Sequence, residues 1–546
     1  MISDITDKKN VSSSFFSGVF ILSVSTVVVK IIGLIYKIPM LSYLGAEGMG
    51  YFNSAYEIYA LLCVISTAGL PTALSMLVSS YRASGDIYKI KQIYKNAFFL
   101  FLFIGILGMG IMIGFAPTIS DFIKNENALL SIIAISPALL FVCISSAVRG
   151  YFQGFSQMLP TAVSQLIEAL LKLILGILFA QLALRKGYSI PVVASFAILG
   201  ISVGTFISAI YLLILKSKYS KQKKIYSSKS NTIAKKDDAS TKTLLKIAFP
   251  ITLGSAVIGI TRIIDMTLIM RRLQDIGYTA QVANEIYGVY TTVAVPIFSL
   301  IPSLLTPISM ALVPALSATI EKGSGEQRAE IVKSAVKLTV LFAMPSSLAI
   351  ILYARPIISL LFFNIGAELD YVCLLLSLLG ASILFSCMIT TSNAILQSYR
   401  KVTKPIISMG IGAIVKVISA YILIGIPAIN VYGAPMSTFL CDLTITVLNL
   451  RYVYCETSNK YIITKAYAKP FLASVISMLL SFLLYSFIYS KTENIKISFI
   501  FIVPVAIAFY LVLSFLIKSI TLEELKTLPL GDKIFNFTNK FKNKDS

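Results

Sequence analysis

The chain alternates long apolar stretches with short polar ones along almost its whole length. Each apolar stretch is about 20 residues or longer, which is the length an α-helix needs to cross the hydrocarbon core of a bilayer. The pattern predicts an all-α polytopic membrane protein with about 14 transmembrane helices. The apolar stretches cover residues 15–40, 51–80, 97–118, 128–148, 160–184, 190–215, 244–270, 284–315, 332–354, 371–396, 405–427, 431–453, 466–489 and 496–518.

Composition supports this interpretation and excludes several others. Of 546 residues, 57% are hydrophobic and 13% are charged, and the mean hydropathy is +0.84, so a soluble core is excluded. The chain has no histidine, which excludes histidine acid–base catalysis, haem ligation by histidine and most zinc sites. The six cysteines are scattered without a C-x-x-C pair and are predicted to be small apolar side chains.

Charge is distributed unevenly between the loops. The chain has 47 Lys+Arg against 25 Asp+Glu, a net charge of +22, which in a soluble protein would suggest nucleic-acid binding. Here about 32 of these cations fall in alternate loops and about 8 in the opposite ones, so most of the charge is a topology signal. We expect a cell-membrane protein with both termini in the cytoplasm and no nucleic-acid partner. The apolar stretch after Lys8 and Lys9 is too long for a cleavable signal peptide.

A lysine-rich linker divides the chain after the sixth span. It is predicted to be a solvated spacer attracted to anionic headgroups, and a regulatory or partner site is the alternative. The predicted organisation is an N-terminal six-helix bundle (1–216), a basic cytoplasmic linker (217–243), a C-terminal six-helix bundle (244–454), two extra transmembrane helices (455–518) and a cytoplasmic tail (519–546).

The two six-helix halves contain matching residues in the same order. The matches are Glu57-Ile58-Tyr59 with Glu285-Ile286-Tyr287, Lys30 with Arg262, Gln153 with Gln397, and Lys172 with Lys416. Because each half has an even number of spans, the two copies share one orientation in the membrane. We therefore expect two parallel six-helix repeats around a central cavity, which is an alternating-access architecture, with the last two helices outside the repeat.

Several charged residues lie inside the apolar stretches, where each charge costs about 3 kcal/mol unless it faces a cavity or a partner. The predicted substrate-binding charges are the cations Lys30, Lys37, Lys172, Arg262 and Lys416, together with Glu168. Helical spacing predicts two local ion pairs, Glu168 with Lys172 and Arg262 with Asp265, and leaves Lys30 and Lys416 without a local acid. An interhelical pair between Lys416 and Asp442 is the structural alternative.

A cavity with excess positive charge suits an anionic headgroup, since Arg and Lys both bind phosphate oxygens. Sugar recognition would fall to polar residues such as Gln153 and Gln397, each of which could instead be a helix–helix hydrogen bond. A drug-cation exporter would need an acidic cavity with aromatic walls. A membrane-embedded glycosyltransferase would need carboxylates or histidine in a long external loop, so we expect no enzyme. The chain also lacks a P-loop for ATP.

Two segments resemble a known family. The run Arg149-Gly150-Tyr151-Phe152-Gln153-Gly154, followed by Pro160-Thr161-Ala162, Ser164-Gln165 and Glu168, is distinctive. So is Gly45-Ala46-Glu47-Gly48-Met49-Gly50, followed by Gly69-Leu70-Pro71. The chain resembles the MurJ-like and stage V sporulation protein B branch of the MOP (multidrug/oligosaccharidyl-lipid/polysaccharide) flippase superfamily.

This resemblance implies a flippase that moves an undecaprenyl-pyrophosphate-linked cell-wall precursor of the lipid II type from the inner to the outer leaflet. The alternatives are a flippase for another polyprenyl-linked glycan, such as a capsule, exopolysaccharide or teichoic acid unit, and then a multidrug antiporter. The resemblance also implies pyrophosphate binding by cations on spans 1 and 7, and a groove for the lipid tail at spans 13 and 14. Some relatives have a sodium site on spans 7, 11 and 12. Asp265 and Asp442 would be remnants of such a site, since span 11 here has no acid.

The predicted partners are a polyprenyl-pyrophosphate-linked glycan, membrane lipids and cell-wall synthesis proteins. We expect a monomer without a cofactor or metal. A sporulation-linked role and a vegetative role are equally compatible with these motifs.

Overall fold

The computed structural model describes residues 2–226, 241–322, 325–362, 366, 369–457, 461–517 and 519, and these residues form helices joined by short turns. The seventeen α-helices are α1 (Ile2–Thr67), α2 (Gly69–Ala83), α3 (Ile87–Gly114), α4 (Ala116–Phe122), α5 (Leu129–Gly154), α6 (Leu159–Arg185), α7 (Ile190–Tyr226), α8 (Thr241–Asp275), α9 (Ala280–Val289), α10 (Val295–Leu304), α11 (Thr306–Lys322), α12 (Gly325–Leu361), α13 (Leu369–Ser398), α14 (Thr403–Ile424), α15 (Gly433–Thr457), α16 (Tyr461–Thr492) and α17 (Ile495–Leu516). The predicted all-α class is confirmed.

Within the described part of the chain, twelve helical segments are long and apolar enough to cross a membrane. One of them, Ile21–Ala83, is 63 residues long and contains most of the first two predicted spans. Helix α8, which contains the seventh predicted span, is not among the twelve. The multi-pass architecture is thus confirmed, whereas the exact number of fourteen spans stays a prediction.

The chain divides into two compact units. The first comprises residues 1–310 and 405–445, and the second comprises 311–404 and 446–546. The predicted lysine-rich linker lies mostly outside the described residues, as does nearly all of the predicted tail. The sequence-based domain boundaries therefore stay a prediction.

Small residues let the helices of the first unit approach closely. Helix α7 packs against α5 and α6, and α1 packs against α6, α8 and α9. A Cβ atom added at Gly200 of α7 would lie 2.5 Å from the backbone nitrogen of Gly176 in α6. Such close contacts are typical of membrane helices, whose association depends on packing and hydrogen bonds because the lipid is itself apolar.

In the second unit, α12 packs against α13, α16 and α17. The Tyr353 hydroxyl donates to Ser481 Oγ at 2.8 Å, and the Tyr510 hydroxyl donates to the Leu341 carbonyl at 2.7 Å. These interhelical hydrogen bonds satisfy polar groups that could not find water within the bilayer.

Two local departures from regular helix lie near the charged residues. Gly45 interrupts α1 with a φ of 65° and a ψ of −176°, a conformation that glycine adopts without the steric penalty of a Cβ atom. A π-helical turn, Tyr290–Ala294, joins α9 to α10. Such turns are rare and frequently occur at functional sites.

Candidate functional site

The structure brings most of the predicted site residues into the first unit. Lys30 and Lys37 lie on α1, Gln153 on α5, Glu168 and Lys172 on α6, Arg262 and Asp265 on α8, Lys416 on α14, and Asp442 on α15. Gln397 is an exposed residue of α13 in the second unit. Within the first unit, the contacts of each charged side chain can be followed individually.

Lys416 forms an ion pair with an acid on another helix. Its Nζ lies 2.5 Å from Asp265 Oδ2, and the two side chains are 12% and 21% exposed. Asp442 lies within electrostatic range of the same ammonium. Lys416 has no acid on its own helix, as the spacing predicted, and the pair with Asp265 is interhelical, as the structural alternative proposed. Asp265 does not form the predicted local ion pair with Arg262, although Arg262 lies within electrostatic range of it.

Glu168 also has a different partner from the predicted one. Arg149 Nη2 donates to Glu168 Oε2 at 3.0 Å, and Arg149 Nε donates to Ser164 Oγ at 2.9 Å. Within the described residues no ion pair joins Glu168 to Lys172, which corrects that prediction. The pair links α5 to α6, so the distinctive run around Arg149 holds two helices together.

A double-mutant cycle of unfolding free energies, measured in detergent micelles, tests whether Glu168 pairs with Arg149 or with Lys172. We expect a coupling free energy of at least about 1 kcal/mol between Arg149→Gln and Glu168→Gln, because each single change leaves a largely buried charge without its partner. The control cycle, Lys172→Gln with Glu168→Gln, is expected to give less than about 0.5 kcal/mol. A larger coupling in the control cycle would contradict the observed pairing.

Lys172 is held by aromatic rings. Its Nζ lies 4.6 Å from the ring centroid of Tyr56 and 5.2 Å from that of Tyr36. Aromatic faces attract an ammonium through their quadrupole without neutralising its charge. Glu168 lies within electrostatic range of Lys172, but no ion pair joins Lys172 to a carboxylate among the described residues. The Lys172 ammonium can therefore bind an anion.

Arg262 and Lys30 are the exposed cations of the group. Arg262 Nη1 lies 4.0 Å from Glu57 Oε2, and the arginine side chain is 56% exposed. Lys30 is exposed and within electrostatic range of Arg262. The Glu57 carboxylate is 18% exposed, and it also lies within electrostatic range of Lys37, Asp265 and Lys416.

Lys37 contacts the backbone of the π-helical turn. Its Nζ donates to the Thr291 carbonyl at 2.6 Å, and it lies within electrostatic range of Lys172, Glu57 and Arg262. The remaining predicted residue of this unit, Gln153, donates to Thr161 Oγ1 at a long 3.5 Å.

The arrangement retains excess positive charge. Six cations (Lys30, Lys37, Arg149, Lys172, Arg262 and Lys416) occur with four carboxylates (Glu57, Glu168, Asp265 and Asp442). In two ion pairs, Arg149–Glu168 and Lys416–Asp265, the cation and the carboxylate neutralise each other. What remains is a group of cations that can bind an anion, in which the Lys172 ammonium is held by two tyrosine rings.

The predicted cation-coupling site at Asp265 and Asp442 stays a prediction. The Lys416 ammonium contacts Asp265 at ion-pair distance, so a metal cation at that carboxylate would have to displace it. The described residues contain no group of three or more Cys, Asp or Glu side chains that could hold a metal ion.

The sequence profile of the polysaccharide biosynthesis protein family matches residues 15–320, more than half of the chain. The chain belongs to the polysaccharide biosynthesis protein family. A second profile, MatE, matches residues 290–422 of this family member.

Relatives of this polysaccharide biosynthesis protein cover most of its length. Stage V sporulation protein B of Bacillus subtilis (strain 168) is 25% identical over 521 residues, 95% of this chain and 98% of the relative. Lipid II flippase MurJ of the same organism is 26% identical over 427 residues, 74% of this chain and 77% of the relative.

A solved structure has the same fold. Lipid II flippase MurJ in an inward closed conformation matches with a TM-score of 0.68 at 17% identity, covering 91% of this chain and 98% of the other. At that identity the likeness establishes the fold alone. Together these matches confirm the predicted MOP superfamily and a multi-pass membrane protein.

Proposed function

We propose that this protein is a flippase that moves a polyprenyl-pyrophosphate-linked glycan, of the lipid II type, from the inner to the outer leaflet. The family description concerns polysaccharide biosynthesis, and one relative that covers much of the chain is named a lipid II flippase. The fold similarity to lipid II flippase MurJ agrees with this proposal. No covalent chemistry is needed for such a reaction.

The observation that carries the proposal is the position of the Lys172 ammonium, which lies against two tyrosine rings and forms no ion pair with a carboxylate among the described residues. A lysine at membrane depth that is held by two tyrosine rings keeps its charge for a ligand. A pyrophosphate diester is doubly anionic and offers several oxygen acceptors, so it matches the excess of two cations over carboxylates. In this proposal Lys30, Lys37, Lys172 and Arg262 bind the pyrophosphate.

The physical task is to carry a polar headgroup across about 30 Å of hydrocarbon. Cationic side chains replace the hydration that the phosphates lose, while the polyprenyl chain stays in the lipid. Rocking of the two repeats around the site would then change the side to which the site opens. Since the substrate is an anion and the cell interior is negative, the membrane potential favours export by about 2.3 kcal/mol per charge per 100 mV.

Complementation tests the proposal. We expect the wild-type chain to restore surface labelling of lipid II in a bacterial strain depleted of its own lipid II flippase. Lys172→Gln should lower that labelling at least tenfold at equal membrane levels, because it removes the charge without a bulky change. The control is Lys95→Gln, which removes an exposed lysine at the predicted cytoplasmic end of α3 and should restore labelling like the wild type.

Two results would contradict the proposal. If the wild type inserts normally and lipid II stays unlabelled at the surface, the lipid II assignment is wrong, and labelling of another polyprenyl-linked glycan becomes the next assay. If Lys172→Gln supports full labelling, the pyrophosphate does not depend on the ammonium that carries the argument.

A further inference from the structure

A buried polar network lies near Lys37, at the side of the membrane that the charge pattern predicts to be external. Asn53 Nδ2 donates to Thr292 Oγ1 at 2.7 Å, and Asn125 Nδ2 donates to Asn284 Oδ1 at 2.8 Å and to Ser54 Oγ at 3.1 Å. These five side chains are at most 5% exposed. We call them the polar latch, because they join α1 to the segment that contains α9 and the π-helical turn.

One backbone carbonyl of the π-helical turn next to the polar latch lacks its usual hydrogen-bond donor. The Val295 N–H, which an α-helix would give to the Thr291 carbonyl, donates instead to the Tyr290 carbonyl. The donor that the π-helical register would offer to Thr291 is residue 296, and Pro296 has no N–H. The Thr291 carbonyl therefore receives neither the α-helical hydrogen bond from residue 295 nor the π-helical one from residue 296.

The Lys37 ammonium supplies the missing donor, at 2.6 Å from the Thr291 oxygen. If the turn changes to the α-helical register, the Val295 N–H can donate to the Thr291 carbonyl. The Thr292 carbonyl would then need the N–H of residue 296, and proline has none. The backbone therefore leaves one carbonyl unpaired in each register, and the Lys37 ammonium compensates for this in the observed π-helical register.

The same ammonium belongs to the cation group that would bind the pyrophosphate, since it lies within electrostatic range of Lys172 and Arg262. A hydrogen bond from an ammonium to a phosphate oxygen is roughly twice as strong as one to a neutral carbonyl. A bound pyrophosphate would therefore compete with the Thr291 carbonyl for Lys37.

We propose that Lys37 couples substrate binding to opening of the polar latch. This inference rests on the proposed function. When the ammonium moves to the pyrophosphate, the turn rewinds to the α-helical register, and Thr292, one residue along, rotates relative to Asn53. The latch then loses its Asn53–Thr292 hydrogen bond, and the predicted external side can open only when the site is loaded.

Hydrogen exchange in lipid nanodiscs tests the coupling, with undecaprenyl pyrophosphate as the probe and undecaprenol as the lipid without phosphate. For the wild type, we expect the probe to raise amide exchange at least tenfold in peptides covering residues 47–55 and 287–297. Undecaprenol should leave the exchange unchanged. Asn53→Ala, which breaks the latch directly, gives the exchange level of the open state.

Variants of Lys37 separate coupling from binding. Lys37→Met should show open-state exchange without the probe and no further rise with it. It should still bind the probe within about tenfold of the wild type, because Lys30, Lys172 and Arg262 remain. Lys37→Arg keeps a cationic donor and should respond to the probe. Lys172→Gln should weaken probe binding while keeping the low exchange of the empty wild type.

The outcomes distinguish this inference from the proposed function. If the wild type binds the probe and exchange in both segments stays the same, the coupling is wrong while the flippase proposal stands. The coupling is also wrong if Lys37→Met responds to the probe as the wild type does. If the wild type does not bind undecaprenyl pyrophosphate, both proposals are overturned, because the coupling needs the bound phosphate.

Discussion

Asp265→Asn is expected to lower the free energy of unfolding by about 3 kcal/mol, because it leaves the Lys416 ammonium without its partner in a largely buried position. Thermal unfolding in detergent micelles measures the effect. The double variant Asp265→Asn with Lys416→Met should recover most of the loss, since it removes both charges and leaves no buried ion. The charge-exchanged variant, Asp265→Lys with Lys416→Asp, keeps the pair and should recover it as well.

The matched control is an ion pair in an exposed position. Arg355 and Asp370 lie 3.3 Å apart, but their side chains are 58% and 79% exposed, so Asp370→Asn should cost at most about 0.5 kcal/mol. If Asp265→Asn is as mild as this control, the Lys416–Asp265 pair contributes little. The site would then contain one more cation for the substrate, as the sequence had predicted.

Gly50→Ala and Gly288→Ala are each expected to lower the free energy of unfolding by about 3 kcal/mol, at the upper end of the usual cost of overpacking. A Cβ atom at Gly50 would overlap the backbone carbonyl oxygen of Asn284, and one at Gly288 would overlap that of Ala46. Backbone atoms cannot move aside as a side chain can. The helices must separate, and the polar latch between them should loosen.

Gly110→Ala is the control, because a Cβ atom there meets nothing within 4 Å. In the middle of a helix this change should raise stability by about 0.5–1 kcal/mol. Thermal unfolding of the three variants in one detergent checks the prediction. Equal effects at Gly50, Gly288 and Gly110 would show that the close approach of α1 and α9 does not persist in solution.

The helices could be predicted from the sequence because the apolar stretches have the length that a bilayer requires. The identity of the charged residues could also be predicted, since Lys172 or Lys416 stands out in an apolar segment. Their partners could not. Spacing within one helix suggests a local acid, whereas Arg149 and Glu168 lie on successive helices and Lys416 lies far along the chain from Asp265.

The sequence indicated two further features of the site only weakly. The ion pair of Glu57 with Arg262 joins α1 to α8, and the spacing of residues within either helix does not indicate it. The π-helical turn had a signal in Pro296, which removes a backbone donor from the middle of an apolar stretch. Which carbonyl would lose its partner depends on the helical register, and only the structure supplies that.

Lys172 and Lys416 occupy matching positions in the two predicted halves but differ in the groups that surround their ammonium. In the predicted repeat the two lysines are counterparts, yet one rests on tyrosine rings and the other is bound to an aspartate. The residue of the first half that corresponds to Asp265, at the offset that relates Lys30 to Arg262, is Gly33. The lysine thus occurs in both predicted halves, whereas the aspartate that neutralises it occurs in only one. Matching residues in two halves therefore do not imply matching local charge.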